Sequence, residues 1–293
     1  MNNVMQETRE VRPLTTGEFE QFRRLAYEKF GLDLRVGKEP LVAARLGKKI
    51  RELQLRSYRQ YYRYVVEDRT GEALTALIDA LATNHTSFFR EPAHFEFLRQ
   101  TILPGLQDRD RIAIWSAACS TGEEPYSIAF CLAEELGEAA LAKTRILATD
   151  ISTRVLASAQ KGAYPAARFE GLSAQQLHRH LLRGEQRFQD WYRVKPALRA
   201  AVEFRRLNLM ERFSHLGPFS VIFCRNAMIY FDKPTQQDLA NRLADCLEPG
   251  GYLLIGHAES LNGADHRLQY VCPAVYRKPE GRDPNRKRVR TKP

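Results

Sequence analysis

Through the first eighty residues, apolar side chains recur at helical spacing, whereas from about residue 110 short apolar runs alternate with helical segments. Thr15 and Glu18 have capping-box spacing ahead of Phe19, Phe22 and Ala26, and Gly31 supplies a stop, so a first helix is predicted between them. A second helix, over about residues 40–55, places Val42, Leu46, Ile50 and Leu53 on one face and Arg45, Lys48, Lys49 and Arg56 largely elsewhere. Ser57 can cap a third helix carrying Tyr58, Tyr61, Tyr62 and Val65. Leu74, Leu77, Ile78 and Leu81 mark a fourth. A small helical domain therefore precedes Asn84.

The later pattern is that of a wound parallel sheet, with strands predicted at 112–118, 146–149, 202–204, 219–224 and 252–256. A last segment, 269–277, is expected to return antiparallel at an edge. Between the helix near 152–161 and the strand at 202 lie some 40 residues. Helix-to-strand connections typically need about 2 to 6. The excursion carries Phe169, Phe188, Trp191, Tyr192 and Val194 around a turn-like stretch at 184–190, which predicts an inserted β subdomain. The expected division is a helical domain at 14–83, a linking segment at 84–110, a sheet domain at 111–278 with its insertion at about 163–201, and a basic tail at 279–293.

Charge and composition narrow the possible partners. The chain of 293 residues has a formal charge of +10, but from Arg277 onward eight Lys or Arg face only Glu280 and Asp283. The other 276 residues are thus only mildly basic, which argues against nucleic acid as the main partner, and the proline-rich, nearly non-apolar tail reads as a disordered extension. No run approaches the roughly 18 apolar residues of a membrane span. The polar N-terminus fits neither a secretory signal nor a transit peptide, so a cytoplasmic address is expected. Five scattered cysteines without a Cys-x-x-Cys pair suggest neither zinc nor disulfides, and no metal is expected.

The chemistry concentrates where strands end. After the first strand comes Ala117-Ala118-Cys119-Ser120-Thr121-Gly122-Glu123-Glu124-Pro125, a small-residue turn opening a helix, where wound sheets bind ligands. Two glutamates at that helix start suit a cationic or amino-bearing ligand better than a phosphate; a tight turn that merely complements the helix dipole is the alternative. Asp150, after the second strand, is placed to accept from ribose hydroxyls or else to cap the next helix. Asn208, Leu209, Arg225 and Asn226 also fall at strand ends, where a plain surface-loop role is the alternative. Asn84 to Arg90, at the domain junction, packs an amide, hydroxyls, a guanidinium and two phenylalanines into seven residues.

Four motifs, Asn-x-Thr-x-Phe-Phe-Arg at 84–90, Ala-Cys-Ser-Thr-Gly-Glu-Glu-Pro-Tyr-Ser at 118–127, Ala-Thr-Asp-Ile-Ser at 148–152 and Cys-Arg-Asn-x-Met-Ile-Tyr-Phe at 224–231, make the chain resemble the chemotaxis-receptor glutamate methyltransferase family, known as CheR. The resemblance covers residues 14–278 and implies an α/β fold: a Rossmann-like methyltransferase sheet with an N-terminal helical domain and an inserted β subdomain. It implies that Asn84, Thr86, Arg90, Glu123, Asp150, Asn208, Leu209, Arg225 and Asn226 surround S-adenosylmethionine, which leaves as S-adenosylhomocysteine. Arg90 and Tyr230 are then expected to face the reacting centre.

The implied substrates are glutamates on cytoplasmic helical bundles of receptors, modified by a monomer recruited to membrane-bound receptor arrays; the basic stripe of Arg45, Lys48 and Lys49 is expected to dock such an acidic bundle, with a plain solvated helix face as the alternative. Family members that capture a tethering peptide usually carry several glycines in the subdomain turn. Only Gly184 stands between 184 and 191 here, so tether-independent action is expected. The rival readings are a nucleic-acid methyltransferase and a non-catalytic cofactor-binding module.

Overall fold

The computed structural model describes residues 12–82 and 84–280. The polar N-terminus and the basic tail from Gly281 onward lie outside them.

Four helices open the described chain: α1 (Thr16–Phe30), α2 (Glu39–Glu52), α3 (Tyr58–Glu67) and α4 (Glu72–Leu81). The local signals act as the spacing predicts. The Thr15 hydroxyl accepts from the Glu18 N–H while the Glu18 carboxylate accepts from the Thr15 N–H, and Gly31 ends α1 at φ 68°. Ser57 caps α3 through the Gln60 N–H. Phe22, Leu46, Ile50, Tyr61 and Leu77 bury almost completely in the shared core. Leu53, expected on the buried face of α2, is 40% exposed because the helix stops at Glu52 and Gln54 turns the chain at φ 56°.

The second body begins with β1 (Ile112–Ala117) and β2 (Thr144–Asp150). The excursion follows and supplies β3 (Ala163–Pro165), β4 (Leu181–Arg183) and β5 (Trp191–Val194), which form a separate antiparallel sheet with β5 central. The chain then returns through β6 (Val202–Arg206), β7 (Phe219–Cys224), β8 (Leu247–Ile255), β9 (Gln269–Cys272) and β10 (Val275–Arg277). Together with β1 and β2 these make a seven-stranded sheet in the order β6-β2-β1-β7-β8-β10-β9.

Its first five members pair in parallel, and β10 runs antiparallel to both its neighbours. Each central strand is buried on both faces. Ile112, Ile114, Val221 and Phe223 pack into one core layer, while Trp115, Ala117, Ile222 and Cys224 pack into the other, as the two-residue period requires. Residues 269–277 do not form the single edge strand expected. They fold into a hairpin through Ala274 at φ 64°, so β10 inserts beside β8 and β9 takes the edge.

The strand order of the main sheet reverses between β1 and β7. β1 leads outward to β2 and β6 on one side, while β7 and β8 build the other, which opens a crevice at the carboxyl ends where such sheets take ligands.

Gly122 is the tightest point of the turn after β1. It has φ 95°, and a Cβ there would lie 2.8 Å from the Ala159 Cβ and 3.0 Å from the Tyr164 hydroxyl. Gly122→Ala therefore costs both a left-handed backbone and a steric clash, about 2 kcal/mol together. Urea unfolding is expected to show a lower midpoint at constant slope; an unchanged midpoint contradicts this account of the turn.

Candidate functional site

A cavity of about 360 Å³ lies outside the carboxyl ends of β1, β2, β6 and β7, within the range of about 300 to 1,000 Å³ common for small-molecule sites. Its walls include residues 118–120, 150–151, 207–209 and 225–227, each following one of those strands. Asn84, Thr86 and Arg90 close it from the junction segment, and Tyr230 from the turn after β7. Of the residues singled out from the sequence, Asn84, Thr86, Arg90, Asp150, Asn208, Leu209, Arg225, Asn226 and Tyr230 thus meet at one cavity. Arg90 donates from Nη1 to the His85 carbonyl at 2.8 Å, which engages one of the five N–H donors of its guanidinium.

Glu123 is not among the lining residues. Its side chain is fully buried, paired with Arg168 and accepting from the Thr121 hydroxyl at 2.6 Å. Glu124 lines the cavity instead. Successive helical residues point about 100° apart, so of two adjacent glutamates opening helix α6 (Glu123–Glu135, following the helix α5 at Pro92–Phe97) only one faces the ligand side.

Asp150 ends β2 nearly buried. Its Oδ2 accepts from the Ser120 N–H and its Oδ1 from the Ser152 N–H, both at 2.9 Å. The helix cap is Ser152, not Asp150, since the Ser152 hydroxyl receives the Val155 N–H. Burial pushes the Asp150 carboxyl up, and those backbone N–H groups pull it back. Each carboxylate oxygen keeps acceptor capacity beyond the bond it makes here.

The cavity also depends on one buried cation. The Arg225 side chain is 1% exposed; Nη1 donates to Glu124 Oε2 at 3.0 Å and Nη2 to Glu91 Oε2 at 2.9 Å and to the Arg90 carbonyl. Burial pushes the Glu124 carboxyl up against the pull of Arg225 and of the Ser116 hydroxyl. Burial also works upward on Glu91, but hydrogen bonds from Arg225 and Asn226 bring it below its ordinary value. One guanidinium faces two carboxylates, and Asp150 adds a third acid to the surroundings of the cavity. With Phe30, Leu32 and Ile78 forming an apolar wall, this donor set fits a nucleoside with a cationic end and offers no phosphate cradle.

Several contributors escaped the sequence. Phe30, Leu32 and Ile78 come from the helical domain, where the apolar periodicity marked Ile78 only as a helix-face residue and did not single out Phe30 or Leu32. Asn208 uses its amide to tie the domains together, donating to the Lys29 carbonyl at 2.8 Å. Glu259 accepts the N–H groups of Asn226, Ile229 and Gly256, fixing the turn that carries Tyr230. Asn208 was singled out by its place at a strand end, but nothing in the spacing signals its tie to Lys29 or the part played by Glu259.

The basic stripe on α2 divides. Lys48 is exposed at 4.0 Å from Glu52, Lys49 bonds Glu52 at 2.7 Å, and Arg45 is half-buried with its guanidinium on the Leu81 carbonyl at the end of α4. Among the described residues no helix is long and apolar enough to cross a membrane. All five cysteines are unpaired and all but Cys272 are buried. Among those residues one group, Glu91, His94 and His257, gathers potential metal-ligand atoms within 4.8 Å of one another, although Glu91 is already held by Arg225.

His94 is 2% exposed, and burial, reinforced by Arg225 and opposed by Glu91, lowers its pKa to about 4. The folded protein thus keeps His94 neutral where the unfolded chain protonates it, below about 6.5. More protons then bind the unfolded state, so this contribution is complete at neutral pH and is lost as pH falls from about 6.5 to about 4. His94→Leu is expected to lose less stability than the parent across that window, by up to roughly 3 kcal/mol. Parallel stability curves by urea titration contradict it.

Two family models match the chain: "CheR methyltransferase, all-alpha domain" over residues 17–82 and "CheR methyltransferase, SAM binding domain" over residues 84–276. A chemotaxis protein methyltransferase of Borreliella burgdorferi is 39% identical over 273 residues, covering 90% of this chain and 95% of that protein. Chemotaxis protein methyltransferase 2 of Pseudomonas aeruginosa is 42% identical over 89% of this chain and 93% of its own length. The chemotaxis protein methyltransferase of Salmonella typhimurium is 38% identical over 90% of each chain. Among solved structures, a SAM-dependent methyltransferase of Methanosarcina mazei aligns only loosely, at a TM-score of 0.31 and 16% identity over 52% of this chain and 55% of that one. With both domain models in register and the cavity built from the strand ends, the chain belongs to the CheR family of S-adenosylmethionine-dependent methyltransferases.

Proposed function

We propose that this protein converts glutamate side chains on cytoplasmic helical bundles of bacterial chemoreceptors into methyl esters, using S-adenosylmethionine as methyl donor. The observation that carries the reading is that Arg90 and Tyr230 line the same cavity as Asp150 and the strand-end loops. The relatives named chemotaxis protein methyltransferases support it.

When bound, S-adenosylmethionine supplies an electrophilic methyl group on a cationic sulfur. A glutamate side chain has a reference pKa of about 4.3, so at neutral pH the nucleophile is already ionised and no general base is required. The protein's tasks are therefore to bind, orient and exclude water. Arg90 is suited to hold the carboxylate by charge-assisted hydrogen bonds, and a guanidinium cannot compete as a base. Tyr230 borders the cavity and orients the acid or closes over it. Asp150 holds ribose hydroxyls, and the apolar wall takes the base. Replacing water around both charged partners with fixed dipoles favours a transfer in which the charges cancel.

On this reading the first helical domain supplies the receptor dock through Lys48 and Lys49 with the adjoining Arg45, acting on an acidic bundle in the cytoplasm as a monomer. With Gly184 as the one glycine between 184 and 191, the subdomain turn departs from that of peptide-capturing members, and action independent of a tethering peptide is the reading.

Arg90→Ala is expected to fold normally and lower receptor methylation by about 100-fold, whereas Asp150→Ala raises the cofactor dissociation constant by at least about tenfold. Labelled-methyl assays and cofactor titration read these out; full turnover by the Arg90 variant removes its assigned role. Combining Lys48→Glu with Lys49→Glu is expected to raise the apparent KM for receptor severalfold, more at low salt, with cofactor affinity unchanged. Identical kinetics for the charge-reversed protein reject the dock.

A further inference from the structure

Arg90 stands between two residues with left-handed backbones, Phe89 at φ 51° and Glu91 at φ 57°, neither of them glycine. A side chain disfavours that region, so a turn that uses it twice around one residue persists only if its surroundings hold it. The holding contacts converge on Glu91. Its Oε1 accepts from Asn226 Nδ2 at 3.1 Å, and its Oε2 accepts from Arg225 Nη2 at 2.9 Å and from the His257 N–H at 3.2 Å. The same Arg225 nitrogen also donates to the Arg90 carbonyl. On the other flank, Phe89 donates its N–H to the Ser127 hydroxyl at 3.0 Å, and Phe88 stacks on Phe130 and Phe169.

The carboxylate of one residue thus ties the junction segment to the ends of β7 and β8, strands distant from it in sequence. Asn226 is itself left-handed, at φ 57°, and its N–H is taken by Glu259. Arg225 is pinned from below by Glu124. Nothing in this arrangement requires Glu91 to touch either ligand; it is not among the residues that line the cavity.

We infer that Glu91 is a positioning residue for Arg90: by clasping Arg225, Asn226 and the His257 N–H it fixes the strained turn from which the Arg90 guanidinium reaches the substrate carboxylate. The inference rests on Arg90 facing substrate, as proposed above. Removing the clasp lets the turn relax toward ordinary backbone angles and swings Arg90 away. Chemistry then suffers most: of the residues assigned to the cofactor, Arg225 and Asn226 lose one tie but stay held by Glu124 and Glu259, and Asn84, Asp150 and Asn208 make no bond to Glu91.

The test compares wild type, Arg90→Ala, Glu91→Ala, Glu91→Gly, Glu91→Gln and the Arg90→Ala/Glu91→Ala double variant in labelled-methyl transfer to receptor, cofactor titration and thermal melting. Glu91→Ala is expected to lower kcat by about 30-fold with the cofactor dissociation constant within about threefold. Glu91→Gly relieves the left-handed strain yet removes the carboxylate, so it should be as impaired as the alanine variant. Glu91→Gln keeps the shape and one acceptor and should fall between, and it carries the test if the smaller variants melt near assay temperature. In the Arg90→Ala background, adding Glu91→Ala should change kcat by less than about threefold, since the function it supports is already gone. Multiplicative losses in the double variant, a glycine variant as active as wild type, or a loss confined to cofactor binding overturns the inference. An undiminished Arg90→Ala rate, or no receptor methylation by wild type, overturns the functional reading and this inference with it.

Discussion

A guanidinium removed from water must be met by carboxylates and carbonyls, and the requirement set by Arg225 organises this site. With its side chain 1% exposed, Arg225 binds Glu124 from the helix after β1, Glu91 from the junction segment and the Arg90 carbonyl. Removing one partner of such a buried pair typically costs about 3 to 5 kcal/mol, because the other charge is left unmatched. The junction segment and the helix after β1 are thereby both bound to the turn after β7. The parallel sheet brings the strand ends together; the buried cation determines how the loops leaving them are arranged.

The charge pattern that results suits the chemistry of the family. Glu124 and Asp150 bring two acids to the cavity wall, Glu124 held by Arg225, while Glu91 binds the same cation from outside the lining. Arg90 adds a second guanidinium to the same wall, the charge that the proposed function assigns to the anionic acceptor. On the proposed function the acceptor is already ionised, so the site calls for no base. The buried imidazole near it, His94, is held neutral and serves packing beneath Glu91.

Local features were readable in the sequence because their causes are local. The capping box at Thr15 and Glu18, the stop at Gly31 and the cap of α3 at Ser57 each depend on residues within a few positions. The strand ends that carry Asp150, Asn208 and Asn226 followed from period and topology. The rest depends on tertiary packing. Glu123 and Glu124 are adjacent and chemically identical, and only the rotation of α6 against Arg168 and Arg225 decides which faces the cavity. Ile78 reads as the apolar face of a helix, yet with Phe30 and Leu32 it also lines the cavity, where Asn208 ties the helical domain to the sheet through the Lys29 carbonyl. The hairpin at Ala274 turns on an alanine in a left-handed backbone, a conformation its type does not announce. Arg45 reads as part of an outward stripe, but its reach to the Leu81 carbonyl is set by how α2 packs on α4.

The most direct test of the central claim is to incubate the purified chain with methyl-labelled S-adenosylmethionine and receptor signalling domains, then to locate the label by peptide mass spectrometry and treat the product with mild alkali. Methyl groups on glutamate carboxylates, released as methanol by base, are the predicted result. Label that resists alkali, or that appears on nucleic acid and not on the receptor, contradicts the account.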